Sequence, residues 1–116
     1  MLALLFFIAI SASAQDSLSG KWQIQRSAAG RESTQQCTLS QKENALTGEC
    51  STDRGAIRIS GKVDGKNVTW TYKSDSEGGA VTVVYNGAIA SASKITGTVL
   101  AVEFSVEGDF TATRIK

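Results

Sequence analysis

The chain has 116 residues, a formal net charge of +1, 20% charged and 41% hydrophobic residues, and neither histidine nor proline. That is the balance of one small globular domain, with no basic surplus to neutralise phosphates and no acidic tail, so nucleic-acid binding by counterion release has no support. Without histidine the commonest general base and metal ligand is missing, and with it every Ser–His or Cys–His nucleophile arrangement.

The first stretch, MLALLFFIAISASA, reads as a signal peptide over residues 1–14. Leu2 to Ile10 is an apolar run too short to span a bilayer, and Ala12-Ser13-Ala14 is the small-residue pattern cut by a signal peptidase. The expected mature chain is a single domain over residues 15–116, periplasmic or secreted, with no membrane span after cleavage. An uncleaved anchor is the alternative. No cysteine follows the run to carry a lipid.

Beyond the leader, period-two patterning and β-branched residues predict eight short strands near 20–27, 34–41, 45–51, 55–63, 67–74, 80–89, 94–104 and 109–115. Clusters of Gly, Asn, Asp and Ser at 64–67, 74–79 and 90–93 read as connectors. No window repeats apolar residues at helical spacing over three turns, so helix is expected only as a stray turn.

The second and third strands carry the only two cysteines, in CTLSQKENALTGEC. A two-residue turn at Glu43-Asn44 sets Lys42 opposite Ala45, Gln41 opposite Leu46, Leu39 opposite Gly48, and Cys37 opposite Cys50. Counted from the closing pair, the cysteines fall at a non-hydrogen-bonded position, where facing side chains approach most closely. A disulfide across one hairpin is therefore predicted, contributing about 3 kcal/mol by the chain-entropy model. There is no Cys-x-x-Cys spacing to suggest a redox pair.

A glycine between two apolar residues of the same parity recurs at Leu46-x-Gly48-x-Cys50, Ile59-x-Gly61-x-Val63, Tyr85-x-Gly87-x-Ile89 and Ile95-x-Gly97-x-Val99. Residues i, i+2 and i+4 share one face of a strand, so these glycines lie on the inner face, as strong coiling into a narrow barrel requires. An open two-sheet sandwich is the alternative. If Val63 faces Val68, then Gly61 faces Trp70 and Ile59 faces Tyr72, and the missing side chain is expected to admit the indole. Trp70, Tyr72, Val83, Tyr85, Val99 and Phe104 are the expected interior residues, either filling the barrel or lining a small apolar cavity that binds a ligand.

Gly20-Lys21-Trp22 at the head of the first strand and Arg114 near the end of the last resemble the Gly-x-Trp and terminal arginine of the calycin group. The resemblance implies that the guanidinium lies over the indole and closes one barrel end, a cation–π contact. In layout the chain is most similar to the avidins: GKWQIQ, ALTGECST, VTWTYK, VYNGAIA, KITGTVL and DFTATR stand in the order of the avidin strands. The biotin ring is not matched. Ile24 stands where avidins have Asn, Cys50 for Tyr, Val81 and Val83 for Ser and Thr, and Val99 for the stacking Trp; only Thr52, Tyr72 and Asp109 correspond. Biotin's ureido group would be left unsatisfied there. The chain also resembles small secreted inhibitors of bacterial metalloproteases, through Gly20-Lys21-Trp22, Cys37-Thr38-Leu39 and Cys50; in them an N-terminal segment enters the protease cleft, here Gln15 to Ser19.

Asp53, Asp64, Asp75, Glu77, Glu107 and Asp109 fall mostly in expected turns, and no metal-ligand spacing or phosphate loop appears. The expectation is an all-β, eight-stranded antiparallel up-and-down barrel that binds without catalysis, metal or cofactor. Its ligand is a small apolar molecule or an extracytoplasmic protein partner, with protease inhibition as the alternative.

Overall fold

The structure, a computed structural model, describes residues 17–52, 55–76 and 79–115. The leader at 1–14, the expected mature start at Gln15, and the carboxylates Asp53 and Glu77 lie outside the described residues. Eight strands follow in chain order: β1 (Gly20–Ala28), β2 (Arg31–Lys42), β3 (Ala45–Thr52), β4 (Gly55–Asp64), β5 (Asn67–Ser76), β6 (Gly79–Ser91), β7 (Lys94–Ala101) and β8 (Val106–Arg114). Each pairs antiparallel with the next, and β8 pairs back onto β1, so the sheet closes into an up-and-down barrel. Closure rules out the open sandwich and leaves no strand edge for another chain to extend. Among the described residues no helix is long and apolar enough to cross a membrane.

The turns set the registers. Cys37 stands opposite Cys50 as the Glu43-Asn44 turn requires, and the two form a disulfide with Cα atoms 3.9 Å apart, buried inside the barrel. Val63 faces Val68 and Gly61 faces Trp70, but that ladder ends at Ser60–Thr71, one pair short of the expected Ile59–Tyr72. β2 begins three residues earlier than expected because Ala28 pairs with Arg31 around a tight Ala29-Gly30 turn, both of positive φ. This is the mirror-type turn whose twist suits a hairpin. The expected 74–79 connector is largely strand, with pairing out to Ser76–Gly79.

The largest departure concerns residues 102–109. β7 stops at Ala101, which pairs with Val106, and Val102–Phe104 form a 3-10 turn ended by Ser105 in the left-handed region. The expected strand 94–104 is thus too long, and the last strand starts earlier than residue 109. Glu103 fastens this turn to β6, accepting hydrogen bonds from the Thr82 backbone N–H at 2.6 Å and its hydroxyl at 2.8 Å. These two donors hold the Glu103 carboxyl below its ordinary pKa.

The barrel interior is largely filled by its own side chains. Trp70 and Tyr85 stack with ring centroids 4.8 Å apart, and Phe110 meets them edge-on at 5.5 and 5.0 Å. Such contacts contribute about 0.5–1.5 kcal/mol each beyond the area they bury. Gly87 admits side chains as expected, an added Cβ there standing 2.9 Å from Ile95 Cγ2 and from Phe110 Cζ, but Gly61 and Gly97 serve the coiling differently. At Gly61 an added Cβ would collide with the Thr69 carbonyl oxygen and lie 2.6 Å from Trp70 Cα; at Gly97 it would meet the Asn86 carbonyl and lie 2.5 Å from Gly87 Cα. These glycines let neighbouring backbones approach, and Gly61 makes room for the β5 main chain, not for the indole.

Candidate functional site

The two ends of the barrel differ. At one end β1 begins and β8 ends, and the chain closes on itself. The Arg114 guanidinium lies over Trp22, 4.6 Å from the ring centroid. It also donates to the carbonyls of Ala92 at 3.0 Å, Ser19 at 2.8 Å and Ser17 at 2.9 Å. Gly20 admits this guanidinium: its φ is +137°, and a Cβ there would lie 2.9 Å from an Arg114 terminal nitrogen. Gly20, Trp22 and Arg114 are thus brought together as expected of a barrel closure.

The N-terminal segment belongs to that plug. Leu18 is 2% exposed, its N–H donates to Gln41 Oε1 at 2.9 Å, and its carbonyl accepts from Trp22 Nε1 at 2.9 Å. Ser17–Ser19 is thereby tied to the barrel end: Leu18 is buried, and the carbonyls of Ser17, Leu18 and Ser19 satisfy Arg114 and Trp22.

At the other end, where the β1–β2 and β7–β8 connections lie, the packing stops short of the rim. A cup of about 320 Å³ remains, walled by Ala28, Val83, Val99, Ala101 and Val106, with Arg26, Arg31, Glu32 and Ser33 on one side. Its size is at the small end of ligand cavities. Arg26 shares parity with Trp22 and Ile24, so its side chain enters the barrel. One terminal nitrogen, Nη1, donates to both the Tyr72 and Tyr85 hydroxyls at 3.1 Å, and Nε donates to Ser33 Oγ at 3.1 Å. Burial works against the charge of Arg26, but the phenol oxygens of Tyr85 and Tyr72 outweigh it, and its pKa stands above the ordinary arginine value. Burial pushes the Tyr85 hydroxyl well above the usual tyrosine range; Tyr72 adds to this, and Arg26 opposes it.

The expected ligand residues divide accordingly. Val83 and Val99 line the cup, and Tyr72 and Tyr85 meet it through Arg26. Trp70 is 0% exposed within the filled middle, its Nε1 without a hydrogen-bond partner among the described residues. Phe104 is not inside the barrel: it is 56% exposed on the 3-10 turn, because the chain leaves the sheet after Ala101, and five positions beyond Val99 it has outward parity in any case. Arg26, Ala28 and Val106 were missed by the sequence reading. For Arg26 the signal existed in the Trp22-Ile24-Arg26 alternation. Among the described residues no three Cys, Asp or Glu side chains come together to hold a metal.

No protein-family model matches the sequence, and no curated protein matches it significantly. Solved structures do match in fold. A redesigned β-barrel is 21% identical with a TM-score of 0.63, the match covering 85% of this chain and 92% of that one. A second, mFAP1, bound to DFHBI, is 17% identical with a TM-score of 0.64, covering 84% and 94%. A third, mFAP0, also bound to DFHBI, is 22% identical with a TM-score of 0.58, covering 84% and 98%.

Proposed function

We propose that this chain is an exported, non-catalytic binding barrel of calycin type that takes a small apolar molecule at its open end. The observation that carries the reading is the apolar-walled cup above an otherwise filled interior. The contact of Arg114 with Trp22 supports the calycin assignment. The buried Cys37–Cys50 disulfide supports an extracytoplasmic setting, where such bonds persist. That redesigned barrels of similar fold hold DFHBI agrees with a barrel of this size taking a small ligand. The protease-inhibitor reading needs a free N-terminal segment, and the engagement of Ser17–Ser19 by Arg114 and Gln41 works against it.

The test is native mass spectrometry of protein purified from its own host, beside an Ala101→Phe variant that fills the cup. The expected result is a retained small molecule in the wild-type barrel that is absent from the variant. A bare wild-type protein that also binds nothing from a library of small apolar compounds overturns the reading.

A further inference from the structure

From the cup itself we infer the ligand's chemical class, resting on the reading above: a monocarboxylate with a compact apolar body, its carboxylate held by Arg26. Among the described residues that line the cup, Arg26 is the one cation both partly buried and hydrogen-bonded within the barrel interior; Arg31, at the rim, is exposed. Its partners are neutral. Two phenols and a serine hydroxyl accept from Nη1 and Nε, while Nη2 makes no hydrogen bond among the described residues. No carboxylate among the described residues hydrogen-bonds to it or pairs with it, and the largest influences on its charge are burial, Tyr85 and Tyr72. Glu32 lines the same cup, but it pairs in register with Ser27, at outward parity, and is exposed.

A guanidinium drawn out of water without a counter-ion is costly, and a bound anion relieves that cost. The two N–H groups of Nη2 are the donors left for it. The phenol oxygens already accept from Nη1 and the two hydroxyls interact with each other, so one O–H of the pair remains to donate to the same carboxylate. Charge-assisted bonds of this kind are about twice as strong as neutral ones and favour a planar acceptor. Around this point the walls are the methyl groups of Val83, Val99, Ala101 and Val106, which offer the rest of the ligand only apolar contact. A short anion such as acetate leaves those walls wet, and a long acyl chain outruns a cup of about 320 Å³.

Calorimetry with 2-naphthoate and its uncharged isostere 2-naphthamide tests this. The wild-type barrel is expected to bind the carboxylate at least tenfold more tightly than the amide. Arg26→Gln is expected to erase that preference, and Ala101→Phe to abolish binding of both. Arg31→Gln is expected to keep the preference; retention of the preference in Arg26→Gln together with its loss in Arg31→Gln overturns the assignment to Arg26. Because the wild-type comparison needs no substitution, it decides the matter even if Arg26→Gln fails to fold. Equal affinity for the two compounds overturns the carboxylate inference and leaves the apolar cup standing. Failure of both to bind overturns the inference and tells against the cup as well.

Discussion

One methyl group at Gly61 distinguishes two accounts of why the inner face carries glycine. If the glycine made room for the Trp70 indole, alanine would be tolerated and only a larger residue would clash. The structure predicts otherwise. A Cβ at Gly61 collides with the Thr69 carbonyl oxygen and stands 2.6 Å from Trp70 Cα, so the obstacle is main chain. Restoring an ordinary contact of 3.4 Å at Trp70 Cα alone separates β4 from β5 by about 0.8 Å. That stretches the ladder hydrogen bonds on either side, at about 1 kcal/mol each, and adds overpacking strain of about 1–3 kcal/mol. Removing glycine's freedom in the unfolded chain returns about 0.4–1 kcal/mol. Gly61→Ala should therefore destabilise by about 2–5 kcal/mol, lowering Tm by at least about 10 °C for a domain of this size. Trp70→Leu should not rescue it, with coupling below about 0.5 kcal/mol in a denaturant-unfolding cycle. A neutral Gly61→Ala, or recovery of more than about 1 kcal/mol on adding Trp70→Leu, refutes the backbone account.

What the sequence made legible follows from how each feature is determined. Strand pairing between Cys37 and Cys50, and between Gly61 and Trp70, depends only on where a tight turn lies and on counting outward, so short-range residues suffice. The Arg114–Trp22 closure was accessible only through the resemblance of Gly20-Lys21-Trp22 and Arg114 to the calycin pattern, which implies that contact. How closely two backbones approach is set by the curvature of the whole barrel, which explains why Gly61 was assigned the right neighbour and the wrong reason. Leu100, Val102 and Phe104 continue a strand-like alternation past the point where pairing with β8 stops, and only the Ala101–Val106 pair reveals that the chain has already turned. Arg26 was hidden by its charge. Its parity pointed inward, but a cation on an inner face needs partners to be credible, and those partners, Tyr72 and Tyr85, come from β5 and β6 on the far side of the barrel.

Two further outcomes are expected. Arg114→Ala and Trp22→Ala should each destabilise, the latter by about 3–5 kcal/mol because the indole is fully buried. Since the two side chains share one contact, the double mutant should fall short of the sum by about 0.5–1 kcal/mol, and full additivity in urea unfolding means that the contact contributes nothing. The last expectation concerns alkaline pH and Tyr85. Its pKa in the folded barrel is raised, chiefly by burial, so at pH values below about 10 neither the folded nor the unfolded hydroxyl ionises and stability does not depend on this group. Above that, the unfolded chain releases a proton that the folded barrel retains, and stability falls by about 1.4 kcal/mol per pH unit until the folded hydroxyl ionises too. Tyr72→Phe leaves Tyr85 as the sole tyrosine, because the chain has only two, and preserves the burial that dominates the shift. In that variant the phenolate absorbance should rise together with the loss of near-UV dichroism, both well above pH 10, as one transition. If Tyr85 instead titrates reversibly near pH 10 while the dichroism is intact, its hydroxyl is in contact with water. The packing around Tyr85 in the barrel's middle would then be open.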